Sequence, residues 1–168
     1  MKKLFIPLLF SMFVVAACQE KTLAPVADPV AEKAIILNNL DMMYSAYTGR
    51  DANTFMAFWA DSSLFCGTAP DEFWNKEDYT SIMQESMADT SITLPAFTFG
   101  KREVILDKDA NSAVVVERLF IEGSLDQMPM RNVTFHQKTD TAWVCTFSSM
   151  SFTPRNEDLS KIMAALKE

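Results

Sequence analysis

Four β-like segments follow one another between Phe97 and Phe152, and they constrain the fold more than any other part of the chain. Each is rich in β-branched and aromatic residues and is bounded by turn residues, which predicts strands of an antiparallel meander. The predicted strands are Phe97–Leu106, Ala113–Gly123, Met130–Lys138 and Ala142–Phe152. A sheet of this kind has an apolar face that helices must cover, so we expect an α+β protein.

A long helix is predicted before the sheet. Apolar residues recur at steps of three and four between Val30 and Thr48, which indicates one apolar stripe that would lie across the sheet. The stripe consists of Ile36, Leu40, Met43, Tyr44 and Tyr47. Three neighbours are expected to widen the buried stripe: Ile35, Leu37 and Met42.

Shorter elements are predicted around this framework. Asp51 is a favourable N-cap for a second helix that ends near Asp61, and residues 63–67 are predicted to form a short strand. Asn75 is expected to cap a third helix, and Asn156 a last one. Helix, short helix, strand, helix and meander is therefore the expected order.

The amino-terminal segment predicts where in the cell the protein is located. Lys2 and Lys3 precede an apolar run and Val15-Ala16-Ala17-Cys18, which resembles a bacterial lipobox. We therefore expect a lipoprotein signal peptide over residues 1–17 and a tether over residues 18–29 that carries fatty acyl groups such as palmitate on Cys18. Residues 30–168 would form the folded domain. An ordinary signal with a chance cysteine is the alternative. Gln19 after the cysteine favours the outer membrane, facing the periplasm.

Charge narrows the classes of partner. The formal net charge is −7, and it becomes −9 once the two lysines of residues 1–17 are removed. An acidic domain is a poor nucleic-acid binder, so no nucleic acid is expected as a partner. Anionic lipid would also repel it, and the acyl chains on Cys18 would have to hold it at the membrane.

Two cysteines remain in the domain, and two interpretations of them stay open. Cys66 and Cys145 could form a disulfide in an oxidising compartment, or they could be two buried thiols in strands. Their spacing matches no zinc pattern, and the chain has one histidine. No metal site and no cofactor are therefore expected.

Short motifs in this order resemble the nuclear transport factor 2-like superfamily, and its SnoaL-like subgroup in particular. They are Ala46–Asp51, Phe58–Asp61, Gly67–Lys76 and Trp143–Ser151, and the resemblance covers about residues 30–152. It implies a curled sheet that helices wrap into a cone, with a pocket at the open end. The fold hosts isomerases, cyclases and dehydratases, so function depends on the site.

The resemblance also identifies positions where chemistry would be expected. Steroid-isomerase members use a tyrosine and an aspartate at the positions that match Met43 and Gly67 here, and neither residue can transfer a proton. Many SnoaL-like members carry a histidine at the position that the resemblance matches to Ser149 here. The isomerase mechanism of those relatives is therefore disfavoured.

Seven side chains are candidates for a ligand-binding pocket, although an ordinary core is the competing interpretation of the aromatic ones. They are Tyr47, Trp59, Phe65, Trp74, Arg118, Phe120 and Phe147. Arg118 points to the face opposite Glu117, where it would either meet an anionic ligand or lie at the surface. Methionines could add a soft lining to the pocket, but filling gaps in the core is the favoured interpretation.

Two further groups are weighed as candidate acids or bases. His136 shares its predicted face with two polar residues, so an exposed or partly exposed histidine is favoured over a general base. Asp71 and Glu72 form a carboxylate pair in a loop, and adjacent loop carboxylates are usually solvated.

The sequence leaves two functions open. The favoured one is a lipid-anchored module that binds a small apolar ligand or docks a partner without chemistry. The alternative is a small-molecule isomerase, hydratase or cyclase that uses Arg118 with His136 or Glu72. Whether the chain is an enzyme is left open, and a homodimer through the open sheet face is a further expectation.

Overall fold

The computed structural model describes residues 28–122 and 128–167. The predicted signal peptide, Cys18 and the tether as far as residue 27 lie outside the described residues, as does Gly123 at the end of the second meander strand. Within the described ranges, no helix is long and apolar enough to cross a membrane.

Six strands form one mixed sheet in the order β2-β1-β6-β5-β4-β3. All neighbouring strands are antiparallel except β1 and β6, which are parallel. The strands are β1 Trp59–Cys66, β2 Phe73–Asn75, β3 Phe97–Leu106, β4 Ser112–Ile121, β5 Met130–Lys138 and β6 Trp143–Phe152. The helices are α1 Pro29–Thr48, α2 Ala52–Ala57, α3 Lys76–Ala88, a 3₁₀ turn Asn156–Asp158 and α4 Leu159–Ala165. The α+β fold is confirmed.

The predicted meander is confirmed as β3 to β6, with ends that shift by a residue or two. The chemistry of the turns explains why the sequence alone predicts this meander. The carboxylate of Asp107 accepts a hydrogen bond from the amide of Asn111 at 2.8 Å and another from the hydroxyl of Ser112 at 3.0 Å. Side-chain bonds of this kind satisfy backbone donors without a longer loop, so β3 and β4 are joined tightly.

Helix α1 lies across the sheet, as its spacing predicts. Asp28 caps it by accepting a hydrogen bond from the amide of Val30 at 2.9 Å. Ile36, Leu40 and Met43 are buried, but the expected widening of the stripe is wrong for Ile35, which is 47% exposed, and for Met42, at 51%. The contact is a narrow seam because the sheet is covered along one line of side chains only. Three predicted neighbours pack against the core from the side: Leu37, Tyr44 and Tyr47.

Helix α1 is also fastened near its start by Glu32. One carboxylate oxygen of Glu32 accepts a hydrogen bond from the Lys138 ammonium at 2.5 Å, and the other accepts one from the indole N–H of Trp143 at 2.7 Å. These bonds hold the pKa of Glu32 below its ordinary value. The start of α1 is therefore tied to the β5–β6 hairpin.

The predicted boundaries between residues 57 and 76 are wrong in two places. Helix α2 ends at Ala57 rather than near Asp61, because Trp59 enters β1, where it pairs with Cys145 of β6. Strand β2 was not predicted; it pairs antiparallel with β1 and brings Trp74 opposite Phe65. Both features depend on strands that lie far apart in sequence, and local patterns carry no information about such pairs.

The carboxy-terminal helix is only partly as predicted. Asn156 begins a 3₁₀ turn rather than capping an α-helix, and α4 starts at Leu159 without a side-chain cap. Leu159, Met163 and Leu166 are exposed on α4.

Cys66 and Cys145 are free thiols, which settles the two interpretations left open above. Cys66 lies opposite Ser149 on β6, and Cys145 is four residues earlier on that strand. Four residues of a strand span about 13 Å, whereas a disulfide needs Cα atoms within about 7 Å. Burial raises the pKa of the Cys145 thiol well above its ordinary value, so this thiol is inert packing.

Candidate functional site

A cavity of about 290 Å³ lies between α1, α3 and the inner face of the sheet. Most of its wall is apolar. The lining residues are Met43, Tyr44, Tyr47, Phe55, Trp59, Phe65, Gly67, Thr68, Glu72, Tyr79, Met83, Pro95, Phe97, Ile121, Met130, Asn132, Ser148, Met150 and Phe152. We call the part of the wall with Gly67, the exposed Thr68 and Glu72 the mouth, and the part with Tyr44, Asn132 and Ser148 the floor.

Aromatic rings form a continuous arc around this cavity. Phe65 stacks on Tyr79 with ring centroids 4.0 Å apart and contacts Trp59 at 4.4 Å. The arc continues from Trp59 through Phe55 at 6.1 Å and from Phe55 to Tyr47 at 6.0 Å. Because each ring is held by the next, the wall is rigid and preformed, which lowers the cost of binding.

The floor carries a buried polar network. The Tyr44 hydroxyl donates a hydrogen bond to Glu117 at 2.8 Å and accepts one from the amide of Asn132 at 3.2 Å. The hydroxyl of Ser148 in turn donates to the amide oxygen of Asn132 at 3.0 Å. Burial, followed by the charge of Glu117, raises the pKa of Tyr44 well above its ordinary value, so the floor presents a neutral phenol.

Glu117 lies behind that floor and is completely buried. Its other carboxylate oxygen accepts a hydrogen bond from Nε of Arg102 at 2.8 Å, and Nη1 of the same guanidinium donates to Asp41 at 2.5 Å. Asp41 is exposed, so the row Tyr44–Glu117–Arg102–Asp41 connects the cavity wall to solvent. The charge of Glu117 is neutralised within the protein and is not free to bind a ligand.

The mouth carries a carboxylate of a different kind. One oxygen of Glu72 accepts a hydrogen bond from the amide of Ala69 at 2.8 Å, and no ion pair to Glu72 is formed among the described residues. A Cβ placed on Gly67 would overlap this carboxylate. Gly67, which the resemblance matches to the aspartate of steroid isomerases, has no side chain. Glu72, from the following loop, fills the space beside it.

The structure brings three of the seven predicted pocket residues into the cavity wall: Tyr47, Trp59 and Phe65. Trp74 lies behind the wall and stacks on Tyr79 with centroids 5.8 Å apart.

Placement of Arg118 and Phe120 in the pocket is a correction. Glu117 faces inward, so both lie on the outer face of β4, where Arg118 is exposed and its guanidinium lies 5.9 Å from the Phe120 ring. The cross-strand neighbour of Arg118 is Arg131, another arginine.

Phe147 is also on the outer face of the sheet, although the alternation of side chains along β6 would predict the inner face. Trp143 and Cys145 point inward, and simple alternation would send Phe147 inward too. The pairing of β5 with β6 shifts between Phe135 and His136, which inserts an extra residue and reverses the faces beyond it. Ser148 therefore lines the cavity, while Ser149, the position matched to a histidine of other SnoaL-like proteins, faces away.

His136 is buried rather than exposed, which corrects the favoured interpretation. The two polar residues that suggested exposure both face inward: Thr134 is hydrogen-bonded to Nε2 of His136 at 2.8 Å, and Lys138 reaches Glu32. Burial lowers the pKa of His136 to about 4, so the ring is neutral at ordinary pH. Since His136 does not line the cavity, it is not positioned to act on a bound molecule.

Sequence reasoning missed the floor. Glu117 was noted only as the neighbour of Arg118, although a glutamate that alternates with Val115 and Leu119 on the inner face is itself a signal of a buried polar site. Asn132 and Ser148 gave no such signal. The described residues contain no group of three or more His, Cys, Asp or Glu side chains that could hold a metal ion.

The fold and the cavity define a small α+β protein whose curled sheet and helices enclose a pocket. The family model for SnoaL-like domains matches residues 36–155, and the chain belongs to this family. No protein with a curated description is similar enough to count as a relative.

Solved structures show the same fold at low sequence identity. An NTF2-like protein of unknown function from Pseudomonas putida is 16% identical with a TM-score of 0.63, over 77% of this chain and 92% of the other. An NTF2-like protein from Cytophaga hutchinsonii is 18% identical with a TM-score of 0.58, over 72% and 98%. A domain of unknown function with a cystatin-like fold from Nostoc punctiforme is 14% identical with a TM-score of 0.61, over 83% and 99%. These likenesses concern the fold alone.

Proposed function

We propose that this chain is a lipid-anchored ligand-binding protein of the bacterial cell envelope, whose SnoaL-like domain holds one small, mainly apolar molecule. The observation that carries the proposal is the cavity of about 290 Å³, enclosed by a preformed aromatic wall and ending on a polar floor. Pockets that bind small molecules are typically concave, apolar and supplied with a few polar groups that orient the ligand. The floor hydroxyls and amide supply that orientation here.

Native mass spectrometry of the mature chain tests this proposal. The chain is exported with a cleavable signal and carries Cys18→Ser, which removes the acylation site so that no detergent is needed. We expect a co-purified small molecule that is released on denaturation. Met150→Trp should abolish it by filling the cavity, whereas Ser151→Trp, on the exposed neighbouring residue, should not. Wild-type protein that carries no small molecule, together with no difference in ligand content between the two variants, would overturn the proposal and favour a protein-docking role.

The anchoring part rests on the Val15-Ala16-Ala17-Cys18 motif. We expect the wild-type chain in the membrane fraction, with a mass that includes the acyl groups and starts at Cys18. Cys18→Ala should yield protein that is uncleaved or unacylated, without the lipid-modified mass. A wild-type mature mass without lipid would contradict the anchor and leave the pocket proposal intact.

An enzyme of the isomerase, hydratase or cyclase type is the second candidate. Arg118 and His136, the residues first considered for it, do not line the cavity. One observation favours it: Glu72 and Tyr44 both line the wall, so residues that carry a carboxylate and a phenol border the same space. Turnover of a co-purified ligand that disappears in Glu72→Gln, with binding retained, would support this candidate. Recovery of the ligand unchanged after long incubation would oppose it.

A further inference from the structure

We infer that the cavity selects ligands with a positively charged head, such as an amine or a quaternary ammonium group on a short apolar body. This inference rests on the proposed binding function and specifies its ligand class. Glu72 is the charged member of the described lining, which includes no lysine, arginine or histidine. A ligand carboxylate or phosphate would therefore lose its hydration and gain no cationic partner, which is unfavourable.

The cationic groups nearest to the site are already engaged. Arg102 is held by Glu117 and Asp41, so its charge is balanced within the protein. Arg50 donates to the backbone carbonyls of Met87 at 3.2 Å and Asp89 at 2.9 Å, so its guanidinium already has partners within the protein. The carboxylate of Glu72 is therefore the unbalanced charge in the described part of the cavity wall, and it raises the local concentration of cations at the mouth.

The wall adds a second attraction for a cation. The faces of aromatic rings attract ammonium groups within about 6 Å, and such contacts strengthen when the site excludes water. Tyr79 belongs to the arc and lies near the mouth carboxylate: burial, then the charges of Tyr47 and Glu72, raise its pKa well above the ordinary value. An ammonium group placed beside Glu72 would therefore lie next to a carboxylate, in a cavity that aromatic rings line.

The volume limits the rest of the ligand. Small-molecule pockets typically measure about 300 to 1,000 Å³, and this cavity of about 290 Å³ is at the lower end. Four methionines, Met43, Met83, Met130 and Met150, line it and can adjust to an apolar body of variable shape. The ligand is then a short cationic amphiphile whose head is at the mouth and whose body lies against the apolar wall.

Calorimetric titration with three matched probes tests the inference on the mature Cys18→Ser chain. Phenylbutylamine, phenylbutanol and phenylbutyrate share one apolar body and differ in the charge of the head. We expect the amine to bind about tenfold more tightly than the alcohol, and the carboxylate more weakly than the alcohol. Glu72→Gln should remove most of the preference for the amine. The matched control Asp71→Asn removes the same charge one residue away, outside the cavity, and should leave the preference in place.

Gly67→Ala separates the position of the carboxylate from its charge. The added Cβ would overlap the carboxylate of Glu72 and also its Cβ, so the carboxylate and the loop that carries it must shift while the charge is retained. We expect a reduced preference for the amine with an almost unchanged affinity for the alcohol. Equal or tighter binding of the alcohol by wild-type protein, or an unchanged preference in Glu72→Gln, would overturn the inference and leave the binding function standing. Binding of none of the three probes, together with empty protein in native mass spectrometry, would overturn both.

Discussion

One glutamate lies at the mouth of the cavity and another lies behind its floor, and the two have opposite surroundings. Glu117 is completely buried and bonded to Tyr44, Arg102 and Asn132. Glu72 is half-buried and accepts one hydrogen bond, from a backbone amide. The difference teaches that a carboxylate beside a pocket contributes to stability when its charge is neutralised by the protein, and to recognition when it is left for a ligand.

The largest expected effect is on the buried carboxylate. Glu117→Gln removes the charge that compensates Arg102 and should lower the free energy of unfolding by about 3 kcal/mol. Urea denaturation measures this loss. Asp41→Asn, which alters the exposed partner of the same guanidinium, should cost less than about 1 kcal/mol. Equal losses in the two variants would contradict the distinction between the buried and exposed ends of this row.

The phenol of the floor should have a smaller effect. Tyr44→Phe removes a donor to Glu117 and an acceptor for Asn132, so we expect a loss of about 1 to 2 kcal/mol in the free energy of unfolding. Tyr47→Phe is the control, because its hydroxyl makes no hydrogen bond to another described side chain. Thermal melts of both variants should show a lower midpoint for Tyr44→Phe alone.

His136 extends the comparison to a third buried polar group, one outside the cavity. Its folded pKa of about 4 is below the ordinary value of 6.5, so protonation favours the unfolded chain. The stability that His136 contributes is complete above pH 6.5 and falls as the pH drops toward 4. Between pH 7 and 5.5 we expect a loss of about 1 kcal/mol in wild type. His136→Gln should flatten this part of the profile, and an unchanged slope in that variant would contradict the assignment.

The smallest effect on stability is expected at the mouth. Glu72→Gln keeps an oxygen that can accept from the Ala69 amide and disturbs no ion pair of the described residues, so the free energy of unfolding should change by less than about 0.5 kcal/mol. A loss comparable to that of Glu117→Gln would show that Glu72 is structural and would remove the contrast. Denaturation on the samples used for titration provides this check.

Much of the fold was predictable because it depends on local chemistry. The β-branched segments, the Asp107 turn and the caps of α2 and α3 are properties of short stretches, and each was found where the sequence places it. The candidate site was predictable only in part. Tyr47, Trp59 and Phe65 line the cavity, but Arg118, Phe120 and Phe147 do not.

The sequence by itself determined the α+β class, the meander and the side of α1 that meets the sheet, since periodicity and turn residues act over a few positions. The tertiary structure decided which residues share the cavity. The shift in pairing beside His136 sends Phe147 outward and Ser148 inward, and the parallel pairing of β1 with β6 brings Trp59 into a strand. The loop before β2 places Glu72 over Gly67. The pairing of Trp59 with Cys145 joins segments that lie far apart in the chain, and the shift beside His136 changes the face of the β6 residues beyond it, so neither outcome follows from a local pattern.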